Sequence, residues 1–180
     1  MISFDQWNIL LHVVHTMKAP VSLYIVHHPA CEKAAMVARS LYDWFRLGYL
    51  SGDQSGAGLP VYYRRQLDGH GALMPSIHFD GAALNVIIIL VDEKLVVCPR
   101  WRSAVVALAQ KLNNARHASS KQDATESKSI LIPAAMHDSF YRTGPLYEGF
   151  NPVRLIGMDT QSMEKTLRRS VTEAPARATR

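Results

Sequence analysis

The sequence predicts a doubly wound α/β domain, built on a five-stranded, mainly parallel sheet of order 2-1-3-4-5 with helices on both faces. Three observations predict this fold class. Five short apolar runs recur along the chain, helical periodicity separates most of them, and no internal repeat is present. Strands that alternate with helices pair in parallel because each crossover helix returns the chain to the same end of the sheet.

The predicted strands are short apolar runs bounded by turn residues. Val21–Val26 and Asn85–Val91 are almost wholly apolar, which is typical of strands buried on both faces. In chain order, the five strands are Val21–Val26, Leu59–Tyr63, Asn85–Val91, 129–134 and Pro152–Ile156. Residues 66–84 contain three glycines and a proline. This stretch is therefore predicted as a loop with one short helix around Ser76–Ala83.

Helical periodicity places helices around these strands. Apolar residues at helical spacing predict an extra amino-terminal helix before Pro20, which ends it. The helix after the first strand begins near Pro29 and ends at Gly48. Two further helices are expected over about 101–115 and from Asp159 or Thr160 to about Val171.

Composition indicates a single domain. The chain has 180 residues, of which 48% are hydrophobic, and this is enough to bury one core. We expect an amino-terminal helix at residues 1–19, the α/β domain at 20–172, and a disordered tail or the start of a linker at 173–180. A linker would join the domain to a further domain beyond the carboxyl terminus.

Charge and cysteine content exclude some partners. The net charge is +5, but residues 164–180 hold five basic and two acidic side chains, so the excess does not indicate a nucleic-acid surface. Two cysteines do not make a disulfide framework. No apolar run approaches the roughly 20 residues that span a bilayer. We therefore expect a cytoplasmic protein with neither membrane nor nucleic-acid partners.

Polar residues follow the strands at the edge where doubly wound sheets bind ligands, the carboxyl ends of strands one and three. The candidates are His27 and His28 after strand one, Arg64 and Arg65 after strand two, and Asp92 and Glu93 after strand three. Each pair also has a purely structural interpretation, since acids cap helices and arginines hold loops. The spacing of His27, His28 and Cys31 is not a zinc signature, and we expect no metal.

An ordered set of sequence blocks resembles a bacterial Toll/interleukin-1 receptor (TIR)-like domain. The blocks are SLYIVHH followed by LYDWF, then LPVYYRR, NVIIILVDEKLVVCPRW, SILIPAAM and FNPVRLI. The resemblance spans about residues 21–170 and rests on the order of the blocks, because each alone is loose. It implies a flavodoxin/TIR-like sheet and self-association, with residues 66–84 as the self-association loop.

The resemblance also implies chemistry on NAD. TIR domains either cleave NAD at the nicotinamide–ribose bond or act as scaffolds, and the enzymes usually carry a glutamate four residues after a tryptophan. Here the residue four after Trp101 is Val105. An NAD-cleaving protein would need another carboxylate for the oxocarbenium-like transition state, and Asp92 and Glu93 are the nearest. NAD would be the substrate, and no cofactor is required.

Other parts of NAD would need their own contacts. Arg64 or Arg65 is expected to bind the pyrophosphate, with the helix amino terminus near Pro29 adding backbone donors. His27 and His28 are expected to line the nucleotide pocket.

Three functions stay open from the sequence. The first is a signalling or effector domain in bacterial antiviral (anti-phage) defence that binds and cleaves NAD or a related nucleotide. The second is a catalytically silent TIR-like module for sensing or assembly, which Val105 favours. The third is a nucleotide-processing enzyme that resembles a nucleoside deoxyribosyltransferase.

Overall fold

The computed structural model describes residues 19–47, 59–64, 66–67, 73–74, 77–118 and 128–178. The main sheet has five strands in the order β2-β1-β5-β6-β7, and all four neighbouring pairs are parallel. The strands of the described chain are β1 (Ala19–His27), β2 (Val61–Arg64), β3 (Gln66–Leu67), β4 (Leu73–Met74), β5 (Ala82–Val91), β6 (Lys128–Ala135) and β7 (Val153–Arg154). Counted along the sheet alone, this is the order 2-1-3-4-5, and the predicted fold class is confirmed.

Helices cover both faces of the sheet. They are α1 (Glu32–Leu47), α2 (Glu93–Val97), α3 (Pro99–Ala118), α4 (Pro145–Glu148), α5 (Thr160–Thr172) and α6 (Ala174–Ala178), with 3-10 helices at Phe79–Gly81 and Asp138–Arg142. Side chains alternate across a strand. Leu23 and Ile25 of β1 therefore enter a core with α1 and α5, while Tyr24 and Val26 enter a second core with α3.

The central strands are apolar throughout because both of their faces are covered. In β5, every residue from Leu84 to Val91 is buried, and β6 is buried from Leu131 to Ala135. This arrangement explains why strict alternation of polar and apolar residues is absent from these runs. The carboxyl ends of β1 and β5 are adjacent, and polar residues follow directly after both strands.

Several segments differ from the sequence predictions. The 66–84 region contains a small antiparallel pair, β3 with β4, as well as its short 3-10 helix. The polar corner after β5 is itself helical, as α2. The following helix begins at Pro99, at the position that suits proline best, and reaches Ala118.

The carboxyl-terminal residues contain a further helix. Residues 173–180 were expected to be a disordered tail or the start of a linker, and in the structure α6 follows α5 after a single turn residue. Ala174 is fully buried in the core between the sheet, α1 and α5. Burial of this alanine binds α6 to the domain, so the folded unit extends beyond residue 172. The expected amino-terminal helix lies, except for Ala19, outside the described residues. Ala19 begins β1.

No helix in the described part of the chain has both the length and the apolar character needed to cross a membrane.

Candidate functional site

The carboxyl ends of β1 and β5 bring polar side chains together at one edge of the sheet. His27, the last residue of β1, is in register with Leu90 of β5. His28 and Asp92 are then the first residues to leave these two strands. Because the strands are parallel and adjacent, both side chains begin at the same edge, which is the crevice where doubly wound sheets bind ligands.

One carboxylate oxygen of Asp92 accepts a hydrogen bond from the backbone, and the other has no hydrogen-bond partner among the described residues. It is the N-cap of α2, and its Oδ1 accepts a hydrogen bond of 2.7 Å from the Leu95 backbone N–H. The residue is only 5% exposed. Within the described residues, Oδ2 has no hydrogen-bond partner. A carboxylate has about four acceptor positions, and leaving them unused in the interior costs free energy. Oδ2 is thus an available acceptor at the candidate site.

Glu93 has a different environment, although it is the adjacent residue. It lies exposed in the first turn of α2, where a negative charge interacts favourably with the helix dipole. The structure therefore separates the two predicted acids: Asp92 is buried at the sheet edge and Glu93 faces solvent.

The backbone gives the Nδ1 atoms of the two histidines opposite hydrogen-bonding roles. His27 is 1% exposed, and its Nδ1 lies 3.1 Å from the His28 carbonyl oxygen, which can only accept. The Nδ1 atom therefore carries a proton and donates it to this carbonyl oxygen. His28 accepts a hydrogen bond at Nδ1 from the Ala30 N–H at 3.2 Å. Its neutral ring then carries the proton on Nε2, as a donor.

His28 packs edge-on against the ring of Trp101, with ring centroids 5.4 Å apart. Burial lowers the pKa of His28 below its ordinary value. The nearby Asp92 carboxylate opposes this shift, and the Lys94 ammonium adds to it. His28 is consequently neutral at pH 7. It brings an aromatic surface and an N–H donor to the edge that holds Asp92.

Cys31 is the site residue that sequence reasoning considered only as a metal ligand. Its backbone N–H donates to His28 and its carbonyl accepts from Ala35, so it sits at the start of α1. The thiol is half-buried. Burial is the first cause that raises its pKa, and the nearby Asp92 carboxylate is the second. Asp92 Oδ2 itself has no hydrogen-bond partner among the described residues.

The amino terminus of α1 was expected to add backbone donors to a phosphate site. The helix begins at Glu32 rather than near Pro29. The backbone N–H groups of Lys33 and Ala34 partly offset the rise in the pKa of the Cys31 thiol. Glu32 also adds a negative charge to the first turn. Contact between this end of α1 and a phosphate stays a prediction.

The predicted phosphate-binding arginines are only partly described. Arg64 ends β2 and is in register with Val26 of β1, one residue short of the site edge. Arg65 lies outside the described residues. Contact between these arginines and a pyrophosphate stays a prediction.

The residue at the position of the usual TIR glutamate is sealed in the core. Trp101 is 5% exposed and Val105 is fully buried, and both belong to the cluster between the sheet and α3. Val105 is one helical turn, roughly 5.4 Å, further along α3 than Trp101. A side chain at 105 therefore lies among apolar neighbours such as Leu108 and Ala109 rather than at the edge with Asp92.

Comparison with protein-family models, with curated proteins and with solved structures finds no match for this chain. Among the described residues, no group of three or more histidine, cysteine, aspartate or glutamate side chains is arranged to hold a metal ion.

Proposed function

We propose that this protein is a TIR-like signalling or effector domain that binds NAD or a related nucleotide at the β1/β5 edge and cleaves its nicotinamide–ribose bond. The observation that carries the proposal is the Asp92 carboxylate. It is buried at the ligand-binding edge of a doubly wound sheet, and one of its oxygens has no hydrogen-bond partner among the described residues.

The charge at Asp92 suits the reaction. None of the described lysines and arginines forms an ion pair with Asp92. A carboxylate in a low-dielectric site without a cationic partner attracts a cationic ligand, and the nicotinamide–ribose unit of NAD carries a positive charge. As the glycosidic bond breaks, that charge moves onto the ribose. The same carboxylate then stabilises the oxocarbenium-like transition state.

The remaining groups at the edge position the ligand. Asp92 Oδ2 accepts a hydrogen bond from a ribose hydroxyl, and the His28 Nε2–H donates to a ligand oxygen. Nicotinamide leaves as a neutral molecule, so its departure requires no general acid. Water supplies the oxygen of the ADP-ribose product and releases its proton to solvent.

A second function, that of a catalytically silent sensing or assembly module, is favoured by one observation. Val105 is fully buried, so the position that carries the acid in enzymes of the resembled family is closed here. In such a module, Asp92 would serve only as the cap of α2.

Nicotinamide release at high protein concentration with a crowding agent distinguishes the two functions. We expect the wild type to release nicotinamide and Asp92→Asn to lose at least about 100-fold in rate, which is typical of losing one electrostatic contact to a transition state. Asparagine is an equally good N-cap, so the fold should be preserved. Glu93→Gln is the matched control, because it removes the same charge from the exposed neighbour, and it should retain activity.

The opposite results identify the alternative. Undiminished turnover in Asp92→Asn would exclude Asp92 from the reaction. A folded, assembled wild type that neither turns over nor binds NAD would support the silent module.

A further inference from the structure

Asn85 is a polar residue in an otherwise apolar strand, β5. It lies in register with Ser22 of β1 on one side and with Ser129 of β6 on the other. Alternation along β5 places its side chain on the same face as Ile87 and Ile89, in the core that faces α3. A row of three polar side chains therefore crosses the central strands towards their amino-terminal ends.

The amide of Asn85 is only half satisfied. The residue is fully buried, and its Nδ2 donates a hydrogen bond of 2.7 Å to the Phe79 carbonyl oxygen. Its Oδ1 has no hydrogen-bond partner among the described residues. A buried acceptor without a donor costs free energy, and a leucine of similar size would avoid this cost. The bond to Phe79 is therefore the feature that distinguishes asparagine from an apolar residue at this position.

The segment that receives this bond is Ile77–Gly81, which we call the strap. Tyr24 of β1 donates from its hydroxyl to the His78 carbonyl oxygen at 3.2 Å. The Lys111 ammonium of α3 lies 4.6 Å from the centre of the Phe79 ring. Two adjacent residues of the strap are thus contacted from β1, β5 and α3.

We propose that the strap is a conformational device, held closed over the amino-terminal end of the core by Asn85 and Tyr24. When these two bonds are released, the strap opens locally while the sheet stays folded. Opening exposes Ile77, which is 9% exposed and packs in the core that faces α3. The strap follows β4, which ends at Met74, so its closure also fixes the point where the β3–β4 pair joins the domain. Asn85 is a positioning residue that acts through the backbone of Phe79.

Hydrogen exchange of the Gly81 amide measures the opening of the strap, because this N–H donates to the His78 carbonyl oxygen at 3.2 Å. Asn85→Leu removes the bond to Phe79 and the unpartnered Oδ1 together. We expect exchange at Gly81 to accelerate about tenfold, the effect of one net hydrogen bond, while the midpoint of urea unfolding changes little. Exchange at Ile87, in the middle of the same strand, should be unchanged.

Tyr24→Phe tests the second bond with little change to the core. It removes the hydroxyl and keeps the ring that stacks on Tyr62, and it should accelerate Gly81 exchange by a similar factor. Ser22→Ala is the matched control. Ser22 neighbours Asn85 in the polar row, and no hydrogen bond in the described part of the chain joins it to the strap. This variant should leave Gly81 exchange unchanged.

The results that contradict the inference are distinct. Unchanged Gly81 exchange in both Asn85→Leu and Tyr24→Phe would show that the two bonds do not hold the strap. A lower urea midpoint with equal acceleration at Gly81 and Ile87 would give Asn85 a purely global structural role. If Asn85→Leu does not fold, Tyr24→Phe decides between these outcomes. Chymotrypsin cleavage after Phe79, identified by mass spectrometry, gives a second measurement and should be faster in both strap variants.

Discussion

At the scale of single residues, the site depends on how the backbone disposes neighbouring polar groups. Asp92 and Glu93 are adjacent acids, but only Asp92 turns inward, because the end of β5 leads directly into the N-cap of α2. His27 and His28 are adjacent imidazoles, but their backbone partners make Nδ1 a donor in His27 and an acceptor in His28. Hydrogen bonding, not residue type, thus determines which group can donate and which can accept.

The pKa of His28 depends on burial and on the charges of Asp92 and Lys94. Its folded-state pKa lies below the ordinary value of 6.5, so the unfolded chain binds the proton more readily. The contribution of His28 to stability is therefore present above pH 6.5 and is lost as the pH falls through the folded-state pKa. In an NMR titration, Asp92→Asn should lower this pKa further and Lys94→Met should raise it. His28→Asn assigns the signal. A pKa at or above 6.5 in the wild type would contradict the described packing.

At the scale of elements, α3 buries the position at which the family resemblance places an acid. The helix starts at Pro99 and presents Trp101, Val105, Leu108 and Leu112 to the sheet at helical spacing. Position 105 is one of these core positions. A glutamate there would be buried among apolar side chains, with its charge unpaired.

An acidic residue at position 105 should therefore destabilise the fold and should not create NAD-cleaving activity. Val105→Glu is expected to lower the free energy of unfolding by about 4 kcal/mol, the cost of an unpaired buried charge. Ala107→Glu places the same side chain on the exposed face of α3 and should change it by less than about 0.5 kcal/mol. Urea denaturation measures both. A stable Val105→Glu protein that gains NAD turnover would show that α3 can present an acid to the site.

At the scale of the whole molecule, the core between the sheet, α1 and α5 includes a carboxyl-terminal segment that the residue pattern does not predict. The last five residues described, Ala174–Ala178, form α6 against the core shared by α1, α5 and the sheet. Its composition of alanine, proline and arginine has no apolar stripe that would reveal this docking. Only the space between α5 and the sheet makes a small side chain at 174 part of the interior.

This placement of α6 predicts a sharp difference between two neighbouring alanines. Ala174→Asp should lower the free energy of unfolding by about 3 kcal/mol, because its carboxylate would be buried without a partner. Ala176→Asp lies on the exposed side of the same helix and should have an effect within about 0.5 kcal/mol. Thermal and urea unfolding report the difference. Equal, small effects would mean that α6 does not dock.

The sequence by itself determined the strand order, the positions of the five strands and the edge at which His28 and Asp92 lie. Runs such as Asn85–Val91 are apolar because both faces of a central parallel strand are covered, and this constraint is visible in the composition of the run. The N-cap role of Asp159 was also predictable from the sequence, since a capping residue acts on the backbone next to it.

Only the tertiary structure decided the roles of individual groups at that edge. It buried Asp92 and Val105, exposed Glu93 and folded α6 onto the core. These outcomes depend on contacts between residues distant in the chain, such as His28 with Trp101, which no local periodicity encodes. Burial and electrostatic pairing are properties of the packed chain, and they can therefore be determined only once the elements are assembled.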